Sequence, residues 1–147
     1  MSYAELQVTS NFSFLRGASR PEELVLQAQA LGLAAIAVTD RNTLAGIVRA
    51  HAAAKEAKLR FVVGARLDFT DAPSLLVYPT DRAAYGRLSQ MLTDGKMRAK
   101  KGECSLALAD LFAYGDGMRL VALPGAAPDA DIALHLKSLR RRFGRAL

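Results

Sequence analysis

Tryptophan is absent, cysteine occurs once and histidine twice among the 147 residues of this chain. With Cys104 alone, an internal disulfide and a cysteine-rich zinc site are both excluded. A reducing, cytoplasmic setting is the expectation that goes with that usage. No apolar run approaches the roughly 18 residues that a membrane span needs. The opening MSYAELQVTS lacks the basic start and apolar stretch of a signal peptide. Low hydrophobicity is also missing. Apolar residues make up 51% of the chain, enough for a packed core and too many for a disordered one.

Negative charge is scarce in one region only. Residues 1–94 carry 10 Lys/Arg against 9 Asp/Glu, whereas residues 95–147 carry 10 against 5, so the net +6 divides as +1 and +5. The excess sits in GKMRAKKGE and LKSLRRRFGRAL. Such stretches suit a polyanion partner, and Lys96, Arg98, Lys100 and Lys101 are the candidate contacts to a DNA backbone. The alternative is a solvated helix face and loop.

Strand-like and helix-like segments alternate. AELQV (4–8) reads as a strand. SRPEE (19–23) reads as a helix start, with Ser19 as cap, Glu22 reaching back and Pro21 in the first turn. That helix closes at Gly32. LAAIAVTD (33–40) is a short apolar run ending in a polar pair, as a buried parallel strand would be. TLAGIVRAHAAAKEAK places Leu44, Ile47, Val48 and His51 on one helical stripe. RFVVGARLDF and SLLVYP give two more strands. DRAAYGRLSQML is a helix with Tyr85, Leu88 and Leu92 on one side. LALADLFAYG and MRLVALP add a short helix and a strand, and GAAPDA (125–130) is a turn or linker. The last helix sets Ile132, Leu136, Leu139 and Phe143 on its apolar side. This alternation predicts an α/β fold with a largely parallel sheet.

In such folds ligands gather at the C-terminal ends of strands. Those places hold Gln7, Thr9, Ser10, Asn11 and Arg16 after the first strand, Thr39, Asp40 and Arg41 after the second, and Arg66 and Asp68 on the third. Ser10 and Ser13 make no nucleophile triad, because neither His51 nor His135 is expected at that end. Both histidines read as structural. Cys104 follows KKGE, which would favour its thiolate, yet it has no local histidine or second cysteine and reads as inert.

The stretch from Ala4 to Phe69 resembles the start of the polymerase-and-histidinol-phosphatase (PHP) domain at the N-terminus of bacterial DNA polymerase III alpha subunits. SNFSFLRGAS-PEEL, LAG-VRAH-AAK and YGRLSQMLT-G--RA-KGE--L-L-DL are similar to the error-prone branch of that family. The resemblance implies the front portion of a (β/α)7 PHP-type barrel, with residues 1–147 forming an incomplete domain. A cut barrel would leave an apolar face to be buried by a partner, by self-association or by rearrangement. Members with an intact metal site carry His-x-His and Asp in the first loop, Asp-His in the second and Glu on the third strand. Here those positions read Gln7, Thr9, Arg16, Asp40, Arg41 and Arg66, and only Asp40 keeps a ligand type.

Arginine offers no lone pair and brings its own charge. Two cations about 4 Å apart repel by about 4 kcal/mol at an effective dielectric of about 20. The substitutions therefore imply a degenerate site without metal, in which Arg16, Arg41 or Arg66 neutralises Asp40. The implied function is the PHP portion of an error-prone polymerase acting in damage-induced synthesis, structural in role. This chain would hold no cofactor, Mg²⁺ belonging to a palm domain not present in it. The implied partners are the remainder of the polymerase chain, DNA and other damage-induced replication proteins, with no membrane. The rival functions are an active metal-dependent PHP phosphoesterase and a free-standing truncated interaction module.

Overall fold

The computed structural model describes residues 3–125 and 130–147. Most of the expected linker, residues 126–129, lies outside the described residues. The chain divides into two compact units, Met1–Arg66 and Leu67–Leu147.

The first unit is built on three parallel strands, β1 (Ala4–Val8), β2 (Ala35–Val38) and β3 (Arg60–Val63), in that spatial order. Two helices make the crossovers, α1 (Pro21–Ala30) and α2 (Ile47–Glu56). Strand β2 is central and buried at every position, which accounts for its unbroken apolar sequence. Strand β1 is irregular. Glu5 pairs with Ile36 and Val8 with Val38, so one extra residue of β1 is accommodated between them. The Gln7 amide donates instead to the Glu5 carboxylate at 3.0 Å. Such a bulge re-aims side chains, and both Leu6 and Gln7 are exposed.

Helix α1 begins one residue later than its sequence suggests. Arg20 occupies the cap position, and Glu23 rather than Glu22 reaches back, accepting from the Arg20 amide at 2.8 Å. Glu22 is drawn off to pair with Arg49 at 3.1 Å. Gly32 closes the helix with φ +69°, as the sequence indicates. In α2 the buried stripe is Ile47, Ala50 and Ala54, whereas Val48 is 72% exposed and His51 is exposed. The expected stripe is thus rotated: small alanines, not the larger Val48 and His51, face inward. His51 instead meets the edge of Phe61, their centroids 6.3 Å apart.

The expected third strand is broken at Gly64 into β3 and a short β4 (Ala65–Leu67), which runs across the division of the chain. The second unit continues with β5 (Leu75–Pro79), α3 (Arg82–Met97), α4 (Leu108–Tyr114), β6 (Met118–Ala122) and α5 (Ala130–Phe143). Strands β5 and β6 are antiparallel, an exception within the largely parallel pattern that the sequence predicts. Helix α3 is capped by Asp81, which accepts from the Ala84 amide at 2.7 Å. It buries Leu88, Met91 and Leu92. Helix α5 buries Leu139 and leaves Arg140, Arg141 and Arg142 outside, as its sequence predicts.

The α2 geometry makes a sharp distinction between neighbours. Ile47→Ala should cost about 2–5 kcal/mol in urea unfolding. Val48→Ala should stay within about 0.5 kcal/mol of the parent. Equal losses at the two positions would contradict the observed helix face.

Candidate functional site

Asp40 follows the C-terminal end of β2 and is 2% exposed. A carboxylate so buried requires compensation for lost water. Three donors from the loop after β1 supply it. The Ser10 amide donates to Oδ1 at 2.8 Å, the Ser10 hydroxyl to Oδ2 at 2.6 Å and the Ser13 hydroxyl to Oδ1 at 2.7 Å. Both serines are themselves buried. Each also accepts: Ser10 Oγ from the Phe12 amide at 3.2 Å, and Ser13 Oγ from the Arg41 amide at 2.9 Å. The network ties the first loop to the second through side chains and main chain together.

The surrounding main chain fixes the same geometry. The Arg66 amide donates to the Asp40 carbonyl at 3.1 Å, and the Asn42 amide to the Arg66 carbonyl at 2.8 Å. Arg41 and Arg66 therefore face each other as a parallel bridge. Gly17 lies so close to the first loop that a Cβ there would sit 2.3 Å from the Ser10 carbonyl oxygen. A Cβ at Gly46 would meet Pro21, Phe12 and Asp40 Oδ2. At position 17 the clash is with backbone, so only glycine fits; at position 46 a larger residue would force the neighbouring side chains to shift.

Of the positions singled out in the sequence, the structure brings Asp40, Arg41 and Arg66 together through the backbone. Gln7, Thr9 and Arg16 are exposed. The donors on Asp40 include the Ser10 amide and the hydroxyls of Ser10 and Ser13. In the sequence Ser10 and Ser13 read only as candidate nucleophiles, and their hold on Asp40 emerges from the structure. The available signal was a pair of small hydroxyl residues three apart in a loop facing a buried acid. Among the described residues, no three His, Cys, Asp or Glu side chains come together in a way that would hold a metal ion. Nor do the residues at the family's ligand positions other than Asp40 fit one, being amide, hydroxyl and guanidinium groups.

The basic stretch is divided in its use. Lys96 lies within α3, and Lys100 and Lys101 are exposed beyond it. Arg98 is engaged, pairing with Asp110 at 2.8 Å and donating to the Asp94 carbonyl at 3.2 Å. Asp94 is held below its ordinary pKa by hydrogen bonds from Tyr114 and then Gln90. Arg142 likewise pairs with Asp116 at 2.8 Å and lies over the Phe143 ring. Burial pushes the Cys104 thiol up, against the opposing pull of Lys96 and Arg98.

A family model for the PHP domain matches residues 5–145. The chain belongs to the PHP-domain family. Error-prone DNA polymerase 2 of Agrobacterium fabrum is 56% identical over 98% of this chain, which covers 13% of that protein. The error-prone DNA polymerase of Caulobacter vibrioides is 56% identical over 91% of this chain and is covered to 12%. The PHP chain thus spans about an eighth of the length of these relatives. A solved amidohydrolase structure from Chromobacterium violaceum, with sulfate and no metal bound, shares the fold. Its TM-score is 0.75 at 18% identity, over 97% of this chain and 75% of that one. No helix among the described residues is long and apolar enough to cross a membrane.

Loss of one member of the Asp40 network should be felt in stability. Ser13→Ala and Asp40→Asn should each lower unfolding free energy in urea by about 1.5–3 kcal/mol, the range for hydrogen bonds to a charged group. Values near zero for both would show that the network does not hold the loops. For Cys104, the raised pKa leaves little thiolate at neutral pH. Its alkylation by iodoacetamide should be slower there than that of a free cysteine and should rise only under alkaline conditions. Alkylation faster than free cysteine would contradict the burial effect.

Proposed function

We propose that this chain is the PHP portion of an error-prone DNA polymerase of the DNA polymerase III alpha type, and that it serves as a scaffold rather than a hydrolase. One observation carries the reading: 56% identity over 98% of the chain to a polymerase eight times longer. Asp40 supports the scaffolding half. In a metal phosphoesterase a carboxylate at this position would be a ligand, with a cation joining the loops. Here Ser10 and Ser13 join them, and their hydrogen bonds offset the water that the buried carboxylate has lost.

Polymerisation, in this reading, belongs to carboxylate-bound Mg²⁺ in a palm domain outside residues 1–147. The protein would be a cytoplasmic nucleotidyltransferase acting in DNA repair on damaged template, alongside other damage-induced replication proteins. Its partners would be the remainder of its own chain and DNA. Lys96, Lys100 and Lys101 are the residues of this domain best suited to a phosphate backbone, being charged and exposed. Arg98 is less suited, because Asp110 already claims it.

The full-length gene product should extend a primer with Mg²⁺. A variant of its palm carboxylates should abolish extension, and Asp40→Asn should leave its catalytic rate constant unaltered at a temperature where the protein stays folded. The PHP portion should purify with less than stoichiometric Zn, Mn or Fe and show no chelator-sensitive phosphatase turnover. Stoichiometric metal with such turnover would establish the phosphoesterase reading instead.

A further inference from the structure

The loop between β1 and α1 is tight at its base and bare at its tip. Three apolar residues fall within four positions: Phe12 is 36% exposed, Phe14 85% and Leu15 89%. Single exposed apolar residues are ordinary on any protein, and on a loose loop they would mean little. This loop is not loose. The Asn11 amide donates to the Ser19 carbonyl at 2.9 Å, closing its ends. The Ser13 amide donates to the Ser10 carbonyl at 3.0 Å, and the Arg16 and Gly17 amides both donate to the Ser13 carbonyl at 2.9 and 3.2 Å. The Asp40 network fixes Ser10 and Ser13 from beneath.

Leu15 itself has φ +60°. A leucine in the left-handed region is strained, since its Cβ crowds the backbone. Glycine would sit there without penalty. The fold therefore holds a large apolar side chain in water on a strained backbone, next to an exposed Phe14. Both side chains are mostly exposed, so burial gains them little, and glycine would meet the backbone requirement at position 15 without strain. Strain of this kind marks a constraint from outside the local structure.

We propose that the Phe14–Leu15 tip is a preformed docking knob that seats in an apolar socket on the polymerase chain outside residues 1–147. The proposal rests on the polymerase reading above. That chain is the occupant because seven-eighths of a relative's length lies outside the region matched here, and every molecule of the protein would carry the socket at high effective concentration. Duplex DNA offers phosphates and wet grooves, not a dry pocket for leucine and phenylalanine. Arg16, also exposed, suits a socket with carboxylates at its rim. Holding the tip in its bound shape beforehand lowers the ordering cost of docking.

Hydrogen–deuterium exchange on the full-length gene product tests this, comparing the parent with Leu15→Gly and Phe14→Ser. Leu15→Gly relieves the backbone and keeps the domain folded even where Phe14→Ser does not. Burial of these side chains implies that at least one segment outside residues 1–147 exchanges faster in the variants by more than about tenfold. The β1–β3 amides should stay as protected as in the parent. The proposal is overturned if no segment outside residues 11–17 responds, if the response appears only at concentrations where the protein dimerises, or if the gene encodes no chain outside these residues. Primer extension by the parent protein, run in parallel, judges the polymerase reading separately. A responding segment in a protein that does not extend primers leaves the knob standing and removes the polymerase.

Discussion

A buried carboxylate is the constraint on which the first unit depends. Asp40 has almost no access to water, so it must be matched by donors or not be there. The match comes from two serines and one amide of a loop thirty residues earlier in the chain. That single arrangement explains several features that look unrelated in sequence: why the loop carries hydroxyl residues three apart, why glycine stands at positions 17 and 46, and why Arg41 donates its amide to a side chain. Each either makes a bond in the network or leaves room for it.

In a metal-bearing relative the same end of the sheet would be organised by an ion, which draws loops together through strong, charge-based bonds. Serine hydroxyls do a similar geometric task in a different way. They are neutral, donate along fixed directions and pass the connection on by accepting from main-chain amides. These bonds come from the chain's own groups. They supply neither Lewis acidity nor a lowered water pKa, two properties that metal-assisted hydrolysis needs.

Much of this was legible in the sequence, for identifiable reasons. The central strand announced itself by an unbroken apolar run, α1 by its proline and closing glycine, and α5 by apolar spacing with arginines opposite. Asp40 stood out as the last residue of ligand type. Other features were hidden because tertiary packing overrode local pattern. Alanine is weakly apolar, so the buried Ala50 and Ala54 lost to Val48 and His51 in a periodicity argument, although close helix packing favours the smaller side chain. The pairing of β5 with β6 is antiparallel, which no residue in either strand encodes. Ser10 and Ser13, three apart in one loop, were a weak signal, since a hydroxyl in a loop is common and its acceptor lies far away in sequence. Arginine at the family's ligand positions suggested a cationic replacement, and the small polar groups of Ser10 and Ser13, which donate to Asp40, drew no notice as donors beside it.

The strongest test of the central claim is the exchange rate of one proton, the Ser10 amide, which donates to Asp40 Oδ1. If serine and amide donors rather than an ion hold the two loops together, that amide exchanges only through global unfolding and keeps its protection when a chelator is added. Fast exchange in the native protein, or protection that appears only when a divalent metal is supplied, would contradict the account.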